Sequence, residues 1–198
     1  KSHPLWTGCL VTTLVVLFFV GLSGIVLALL GKGSLFTSQE RVGVVEIKGL
    51  LTDSRTAIKQ LDRYRDDDNI KAIVLRINSP GGAVGPAQEI LREVEKIRAQ
   101  KKIVASLGTV AASGGYYIAS GANLIMANRG TATGSIGVIM QFTNVEALSK
   151  KLGLDFFNLK AGRYKDVGSP FRPMSPEDKA SLQGFLDNIY QQFLSDVA

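Results

Sequence analysis

The sequence predicts an α/β fold, in which a parallel sheet is covered by crossover helices. Short runs rich in β-branched and aliphatic residues alternate along the chain with longer amphipathic runs. The clearest amphipathic run is residues 84–98, where apolar side chains recur at helical spacing. A length of 198 residues fits one such domain, with or without an anchor.

The predicted elements follow one another in a simple order. Strands are predicted at 42–47, 72–77 and 103–107, with further candidates at 124–127 and 136–140. Helices are predicted at 53–66, 84–98 and, as a short element, 112–120. A last helix is predicted after Ser175, because an N-cap serine, a proline and two acidic residues stand in the order of a helix start. Its apolar stripe runs to the last residue, so we expect the domain to be incomplete at its C-terminus.

An uncharged segment near the N-terminus predicts a membrane-spanning helix. Residues 10–30 are almost entirely apolar, and a helix of that length spans about 30 Å, the thickness of a hydrocarbon core. We therefore divide the chain into an N-terminal flank (1–9), a transmembrane helix (10–30), a linker (31–40) and a folded domain (41–198). A buried core helix and a cleaved signal peptide fit less well, because the apolar run is too long for either.

Composition excludes several kinds of chemistry. With one cysteine, Cys9, and one histidine, His3, the folded domain has no disulfide framework, no cysteine-rich metal cluster and no histidine. Beyond residue 31 the net charge is +5, but the charges are scattered and the acidic run 66–68 interrupts them. We therefore expect no metal, no cofactor and no nucleic-acid partner, and we expect contact with a lipid bilayer through residues 10–30.

Two motifs follow predicted strands, where α/β folds place their sites. In the first, residues 78–82, two adjacent glycines leave backbone N–H groups that could stabilise a negative oxygen, or that simply form a turn. In the second, residues 110–117, small residues flank Ser113 at a strand-to-helix turn, a setting in which a nucleophile is exposed. A serine N-cap on a closely packed helix is the alternative for Ser113.

A nucleophilic serine needs a base, and lysine is the remaining type within the folded domain. A free lysine is almost entirely protonated at pH 7, so a lysine base needs surroundings that lower its pKa, as burial among apolar groups does. Lys165 is the candidate, because its loop is bounded by glycine and proline and contains aromatic residues. Composition alone favours a surface lysine paired with Asp166.

Four segments taken together resemble the signal peptide peptidase A family of membrane-anchored Ser/Lys peptidases. They are N-S-P-G-G at 78–82, A-A-S-G-G-Y-Y at 111–117, T-G-S-I-G-V at 133–138 and Y-K-D-V-G-S-P at 164–170. The resemblance implies a Clp-protease/crotonase-like fold of repeated β-β-α units. It also implies a peptidase domain at 41–198 on the extracytoplasmic side of a bacterial-type cytoplasmic membrane.

Residue roles carry over from the same motifs. The resemblance implies that Ser113 is the nucleophile and Lys165 the general base, with Ser135 holding the lysine amine by a hydrogen bond. It implies an oxyanion hole formed by the N–H groups of Gly82 and Gly114. The implied substrates are remnant signal peptides or similar apolar peptides. The implied assembly is a homo-oligomer in which Lys165 completes the site of a neighbouring protomer.

Other functions stay open on sequence grounds. A Clp-type protease needs a histidine after its serine, and no histidine follows His3. A crotonase is disfavoured by the membrane segment and by the motif at 164–170. A Ser/Lys protease of the stomatin-partner type and a non-catalytic membrane-anchored scaffold of the same fold are both compatible with the sequence.

Overall fold

The computed structural model describes residues 4–32 and 40–198, which form two separate units. The first unit contains one helix, α1 (Pro4–Lys32). Its segment Gly8–Val26 has a mean hydropathy of 2.5 and is long and apolar enough to cross a membrane, two properties that signal sequences share. The predicted flank and span are continuous within this helix from Pro4 onward. Most of the predicted linker lies outside the described residues.

The second unit is built around a parallel sheet of five strands. These are β1 (Arg41–Lys48), β2 (Ile70–Ser79), β3 (Lys102–Ala112), β4 (Leu124–Met126) and β5 (Ala132–Gly134). The order is β1-β2-β3-β4, and β5 pairs with the far end of β3; every pairing is parallel. The predicted α/β class is confirmed.

Helices connect the strands and complete the domain. They are α2 (Arg55–Asp66), α3 (Val84–Arg98), α4 (Gly114–Ser120), α5 (Glu146–Lys151) and α6 (Pro176–Val197). Parallel neighbours require such crossovers, because the chain must return to the end of the sheet at which the previous strand began before it can start the next strand. The helix predicted at 84–98 has the predicted bounds. Ser175 caps α6 as expected, in a capping box with Asp178.

The core lies between one face of the sheet and the helices. Alternate residues of β1 and β2 are buried, so each of these strands has one covered face and one more exposed face. The apolar stripe of α3 packs into the same core, whose largest fully buried side chains are Leu61, Ile73, Leu75, Ile77, Ile90, Leu91, Ile97, Ile103 and Ile118. This packing makes the strand ends a rigid platform.

One predicted element is wrong, and one observed helix was not predicted. The strand predicted at 136–140 is not formed, and the strand of this region, β5, lies just before it. Ile139 is 84% exposed, because the apolar pattern favours a strand but does not supply a neighbouring strand to bond with. The short helix α5 was not expected, since six residues are too few for a helical period to be recognised.

Candidate active site

The carboxyl ends of β2 and β3 lie side by side and carry the two glycine-containing motifs. Their pairing reaches Ser79 and Ala111, after a register irregularity that follows Ile77. The chain beyond β2 is also held from the other side, because the N–H of Leu51 donates to the carbonyl of Gly81 over 2.8 Å. The sequence motifs predicted to form a site are therefore neighbours.

Glycine is required where the two motifs meet. A Cβ on Gly81 would lie 2.7 Å from the amide nitrogen of Gly114 and 2.9 Å from the Cβ of Ser113. A Cβ on Gly115 would lie 2.7 Å from the carbonyl oxygen of Ser79. Gly81 also has a φ of +96°, which L side chains rarely adopt. The backbones approach this closely only because side chains are absent.

Ser113 has a strained backbone at the junction between β3 and α4. Its φ is +51°, and among the described residues only Ser113 and Ser135 combine a side chain with a positive φ. The N–H of Ser113 donates to the carbonyl of Gly134, and its carbonyl accepts from the N–H of Tyr117, both over 2.8 Å. Strain of this kind is held in place by surrounding structure and is concentrated at functional sites.

Two backbone donors lie next to this serine. Within residues 40–198, neither the N–H of Gly82 nor that of Gly114 donates a hydrogen bond to another protein atom. Gly82 is fixed against Leu51, whose carbonyl oxygen would be 2.3 Å from a Cβ at this position. Fixed, unpaired N–H groups are the donors that a developing oxyanion needs.

A small, mostly apolar cavity contains Ser113, Gly82 and Gly114. Its remaining wall comes from α3, α4 and α6 and from two residues after β5: Val84, Ala87, Tyr117, Gly137, Val138, Ile189 and Phe193. The rings of Tyr117 and Phe193 lie 4.4 Å apart between centroids. Helix α6 thus forms one wall of the cavity beside the serine hydroxyl.

The hydroxyl of Tyr117 also joins α4 to α6 by a hydrogen bond. The hydroxyl donates to the carboxylate of Asp196 in α6, and Arg92 approaches the same carboxylate at 3.6 Å. Burial, helped by the bond to Asp196, raises the pKa of Tyr117 to about 12. The tyrosine is therefore a neutral hydrogen-bond donor at physiological pH.

Ser135 stands directly after the residue that binds the backbone of Ser113. Its φ is +54° and its side chain is exposed. The preceding residue, Gly134, is the last residue of β5 and the acceptor of the Ser113 N–H. Four of the five predicted site residues are thus gathered at the ends of β2, β3 and β5.

Lys165 lies apart from these four residues. It is exposed and belongs to a surface hollow lined by residues 158–161 and 165–169, which shares no residue with the cavity at Ser113. Within residues 40–198 no hydrogen bond joins its amine to Ser113 or Ser135. Apolar shelter around this amine, which the sequence argument requires, is not provided by the described part of the single chain.

The surface ion pair between Lys165 and Asp166, which composition favours, is not formed. The carboxylate of Asp166 instead accepts from Nε and Nη2 of Arg172, over 2.9 and 3.1 Å, and also binds Lys160. These hydrogen bonds hold the pKa of Asp166 well below its usual range. The amine of Lys165 is thus left without its neighbouring carboxylate as a partner.

Sequence reasoning missed several residues that shape the site. Leu51 and Gly134 act through backbone atoms, and a backbone contact does not depend on residue type, so the sequence gives no sign of it. Arg172 binds Asp166 and Asp178, and nothing local in the sequence links these three residues. Ile189 and Phe193 belong to the apolar stripe of α6, but the spacing of that stripe does not tell which cavity it covers.

Two family models match the domain that contains this sheet and its strand-end serine. A family model described as Clp protease matches residues 41–139, and one described as Peptidase family S49 matches residues 95–198. The second match covers just over half of the chain, and the chain belongs to peptidase family S49.

Three similar proteins have names of the same kind. "Putative protease slr0021" of Synechocystis sp. is 40% identical over 163 residues, which are 82% of this chain and 59% of that protein. "Putative protease MJ0651" of Methanocaldococcus jannaschii is 40% identical over 146 residues, 74% of this chain and 47% of that protein. "Putative signal peptide peptidase SppA" of Enterococcus faecium is 38% identical over 142 residues, 71% and 41% respectively. The chain thus spans about half the length of these curated relatives.

Proposed function

We propose that this chain belongs to a membrane-anchored serine peptidase with a Ser/Lys dyad, in which Ser113 is the nucleophile and Lys165 the general base. The observation that carries the proposal is the backbone of Ser113. It is held at a positive φ at the end of β3, beside two glycine amides with no protein acceptor in the described part of the chain. Family membership supports the same chemistry.

The reaction follows from these groups. A neutral Lys165 amine takes the proton of Ser113 Oγ as this oxygen attacks the carbonyl carbon of a peptide bond. The carbonyl oxygen becomes an oxyanion and accepts hydrogen bonds from the N–H groups of Gly82 and Gly114, each worth about 2.7–4 kcal/mol in acyl transfer. The lysine ammonium then protonates the leaving amine. Water, deprotonated by the same lysine, releases the acyl group from Ser113.

Ser135 is the proposed hydrogen-bond partner of the lysine amine. Its hydroxyl could orient the amine so that the nitrogen lone pair faces Ser113. Its location supports this role, since it follows Gly134, which binds the N–H of Ser113. A positive φ at a second serine of the same site supports it further, because such strain needs a compensating reason.

A neighbouring copy of the chain is the proposed source of the lysine. In the single chain, Lys165 is exposed and lines a different hollow from Ser113. Exposed apolar side chains stand in the preceding segment, and Leu159 is 96% exposed. Contact between copies would cover this surface and give the amine the apolar surroundings that favour its neutral form.

The proposed substrates are remnant signal peptides or other apolar peptides. Val84, Val138, Ile189 and Phe193 contribute apolar side chains to the surface beside Ser113, and such a surface favours contact with apolar rather than charged substrate groups. Helix α1 would anchor the enzyme in the bilayer, with the catalytic domain on the extracytoplasmic side, where cleaved signal peptides remain.

An activity-based probe tests the nucleophile. A fluorophosphonate should label Ser113, and mass spectrometry should find no label in Ser113→Ala. The matched control is Ser120→Ala, which removes another serine hydroxyl at the end of α4 and should leave labelling intact. Labelling of a different serine, or equal labelling of Ser113→Ala, would remove Ser113 from the mechanism, whereas no labelling of the unaltered protein would favour a non-catalytic scaffold.

Mixing two inactive variants tests the base and its origin together. Ser113→Ala and Lys165→Ala should each lose activity by at least about a thousandfold without a fall in melting temperature. If each site takes its lysine from a neighbour, co-assembly at equal amounts should restore about a quarter of the sites. Retained activity in Lys165→Ala would refute the dyad, whereas inactive mixtures of two inactive variants would place both residues in one chain.

A further inference from the structure

The carboxylate next to Lys165 is held by a cluster of four charged side chains. Asp166, whose side chain is 12% exposed, binds Arg172 through two hydrogen bonds and Lys160 through another. Nη2 of Arg172 also donates to the backbone carbonyl of Asp166 over 3.1 Å. One guanidinium thus fixes both the side chain and the main chain of the residue that follows Lys165.

The same guanidinium reaches the start of α6. Nη1 of Arg172 donates to the carboxylate of Asp178 over 2.5 Å. Asp178 is buried and forms the capping box of α6, in which its carboxylate accepts from the N–H of Ser175 over 3.1 Å. Arg172 therefore links the loop that carries Lys165, residues 161–168, to a helix terminus that is itself fixed.

This cluster also changes the field near the amine of Lys165. A free carboxylate one residue away would favour the protonated amine, which cannot accept a proton. Here both oxygens of Asp166 bind cations, and its pKa lies below its usual range because of Arg172 and Lys160. Arg172 holds the pKa of Asp178 down in the same way. The two acids and two bases carry no net charge.

We propose that Arg172 is a positioning residue for the general base. It joins Asp166 to Asp178, fixes the loop 161–168 against the start of α6, and keeps the carboxylate of Asp166 away from the amine of Lys165. This inference rests on the proposed role of Lys165. Besides Lys165, Asp166 and Arg172, the charged or titratable groups of the described structure that lie in this loop or contact the cluster are Lys160, Arg163, Tyr164 and Asp178.

A pH–rate profile of Arg172→Gln in the whole protein tests the proposal. Without Arg172, the carboxylate of Asp166 keeps only its bond to Lys160, and its second oxygen can bind the ammonium of Lys165. A higher pH is then required to deprotonate Lys165. We expect kcat at pH 7 to fall about tenfold or more and the acid limb of kcat/KM to move up by about one pH unit, with KM little changed.

A second variant separates this effect from simple loss of structure. In the double variant Arg172→Gln/Asp166→Asn no carboxylate is released beside Lys165, and the freed carboxylate of Asp178 still accepts from the N–H of Ser175, so the acid limb should return to its original position. Arg172→Lys keeps a cation but loses the bidentate hydrogen bonding to Asp166, so we expect an intermediate shift of the acid limb. If Arg172→Gln does not fold, Arg172→Lys takes its place in the experiment. A loss of kcat with no shift of the limb, or a shift that Asp166→Asn does not reverse, would overturn the proposal.

Arg65 provides the matched control. It binds Asp62 over 2.7 Å and the buried Glu93 over 2.8 Å, and it is far along the chain from the loop 161–168. Arg65→Gln should lower the melting temperature and leave the acid limb unchanged. The proposed function is tested separately: if Lys165→Ala stays active the dyad fails, whereas an inactive Lys165→Ala with an unshifted Arg172→Gln refutes this inference alone.

Discussion

The serine and the lysine of the proposed dyad stand in two regions that are stabilised by different forces. The strand-end region, residues 78–82 and 111–117, is held by backbone hydrogen bonds, buried packing and glycines that admit no Cβ. The lysine loop, residues 156–172, is held by ion pairs and by a stacked pair of rings, Phe156 and Phe171, with centroids 3.8 Å apart. Its hydrophobic residues are otherwise largely exposed.

This difference shows which of the two regions is completely formed within one chain. The strand-end region has its final geometry within one chain, because its contacts are made by the sheet and core of that chain. The lysine loop has a fixed anchor at Arg172 but no cover over the amine of Lys165. The serine side of the proposed site is therefore formed within one chain, whereas the amine of Lys165 is exposed in the single chain, as the proposed contact with a neighbouring copy would require.

The largest expected effect on stability comes from adding one methyl group to the strand-end region, and the same change just before the lysine loop is the comparison. Gly81→Ala places a Cβ 2.7 Å from backbone of the strand-end region, so we expect a loss of about 3–5 kcal/mol in the free energy of unfolding. Gly153→Ala, just before the lysine loop, has a comparable positive φ but open space, so strain alone should cost about 1–2 kcal/mol. Urea denaturation measures both, and equal losses would contradict the packing argument.

Acid should loosen the lysine loop before the strand-end region. The pKa values of Asp166 and Asp178 are lowered because both carboxylates bind Arg172. Their contribution to stability is therefore present above about pH 4, where unfolded carboxyls are ionised, and is lost as the pH falls further. Hydrogen exchange of residues 161–175, corrected for intrinsic rates, should rise about tenfold or more between pH 4 and 2.

The variant Asp166→Asn/Asp178→Asn is the control for this pH effect. It should show at pH 7 the exchange that the unaltered protein shows only in acid, and should show little further change on acidification. Exchange that rises equally in both regions, or a variant that keeps the full acid response, would mean that the ion pairs do not hold the loop.

The smallest expected effect measures the strain at the nucleophile. Ser113→Gly should raise the free energy of unfolding by about 1 kcal/mol relative to Ser113→Ala, because glycine adopts a φ of +51° without penalty. In the exposed middle of α6, Ser181→Gly should instead lower stability, by about 0.5–1 kcal/mol. Thermal or urea denaturation of the three variants gives the comparison, and a Ser113→Gly that is no more stable than Ser113→Ala would show that no strain is stored there.

The elements of the fold that depend on local pattern could be predicted from the sequence. Helix α3 has its predicted bounds because its apolar spacing and its buried face coincide, and Ser175 caps α6 because the capping residues are adjacent in sequence. The local pattern could not decide whether residues 136–140 form a strand, and the structure shows none there. A strand is decided by the neighbour to which it bonds, and that neighbour is not part of the local pattern.

The candidate site divides along the same line. Ser113, Gly82 and Gly114 could be predicted because their motifs follow adjacent parallel strands, whose carboxyl ends must meet. The positive φ of Ser113 could not be predicted, since it depends on the bond to Gly134 across the sheet. The hydrogen bonds from Arg172 to Asp166 and Asp178 depend on the path of the chain between these residues, and no residue pattern specifies that path.

The bond from the Ser113 amide to the Gly134 carbonyl makes the two strained serines a single mechanical unit. A change in the position of β5 would therefore be felt by the backbone of Ser113 through one hydrogen bond of 2.8 Å.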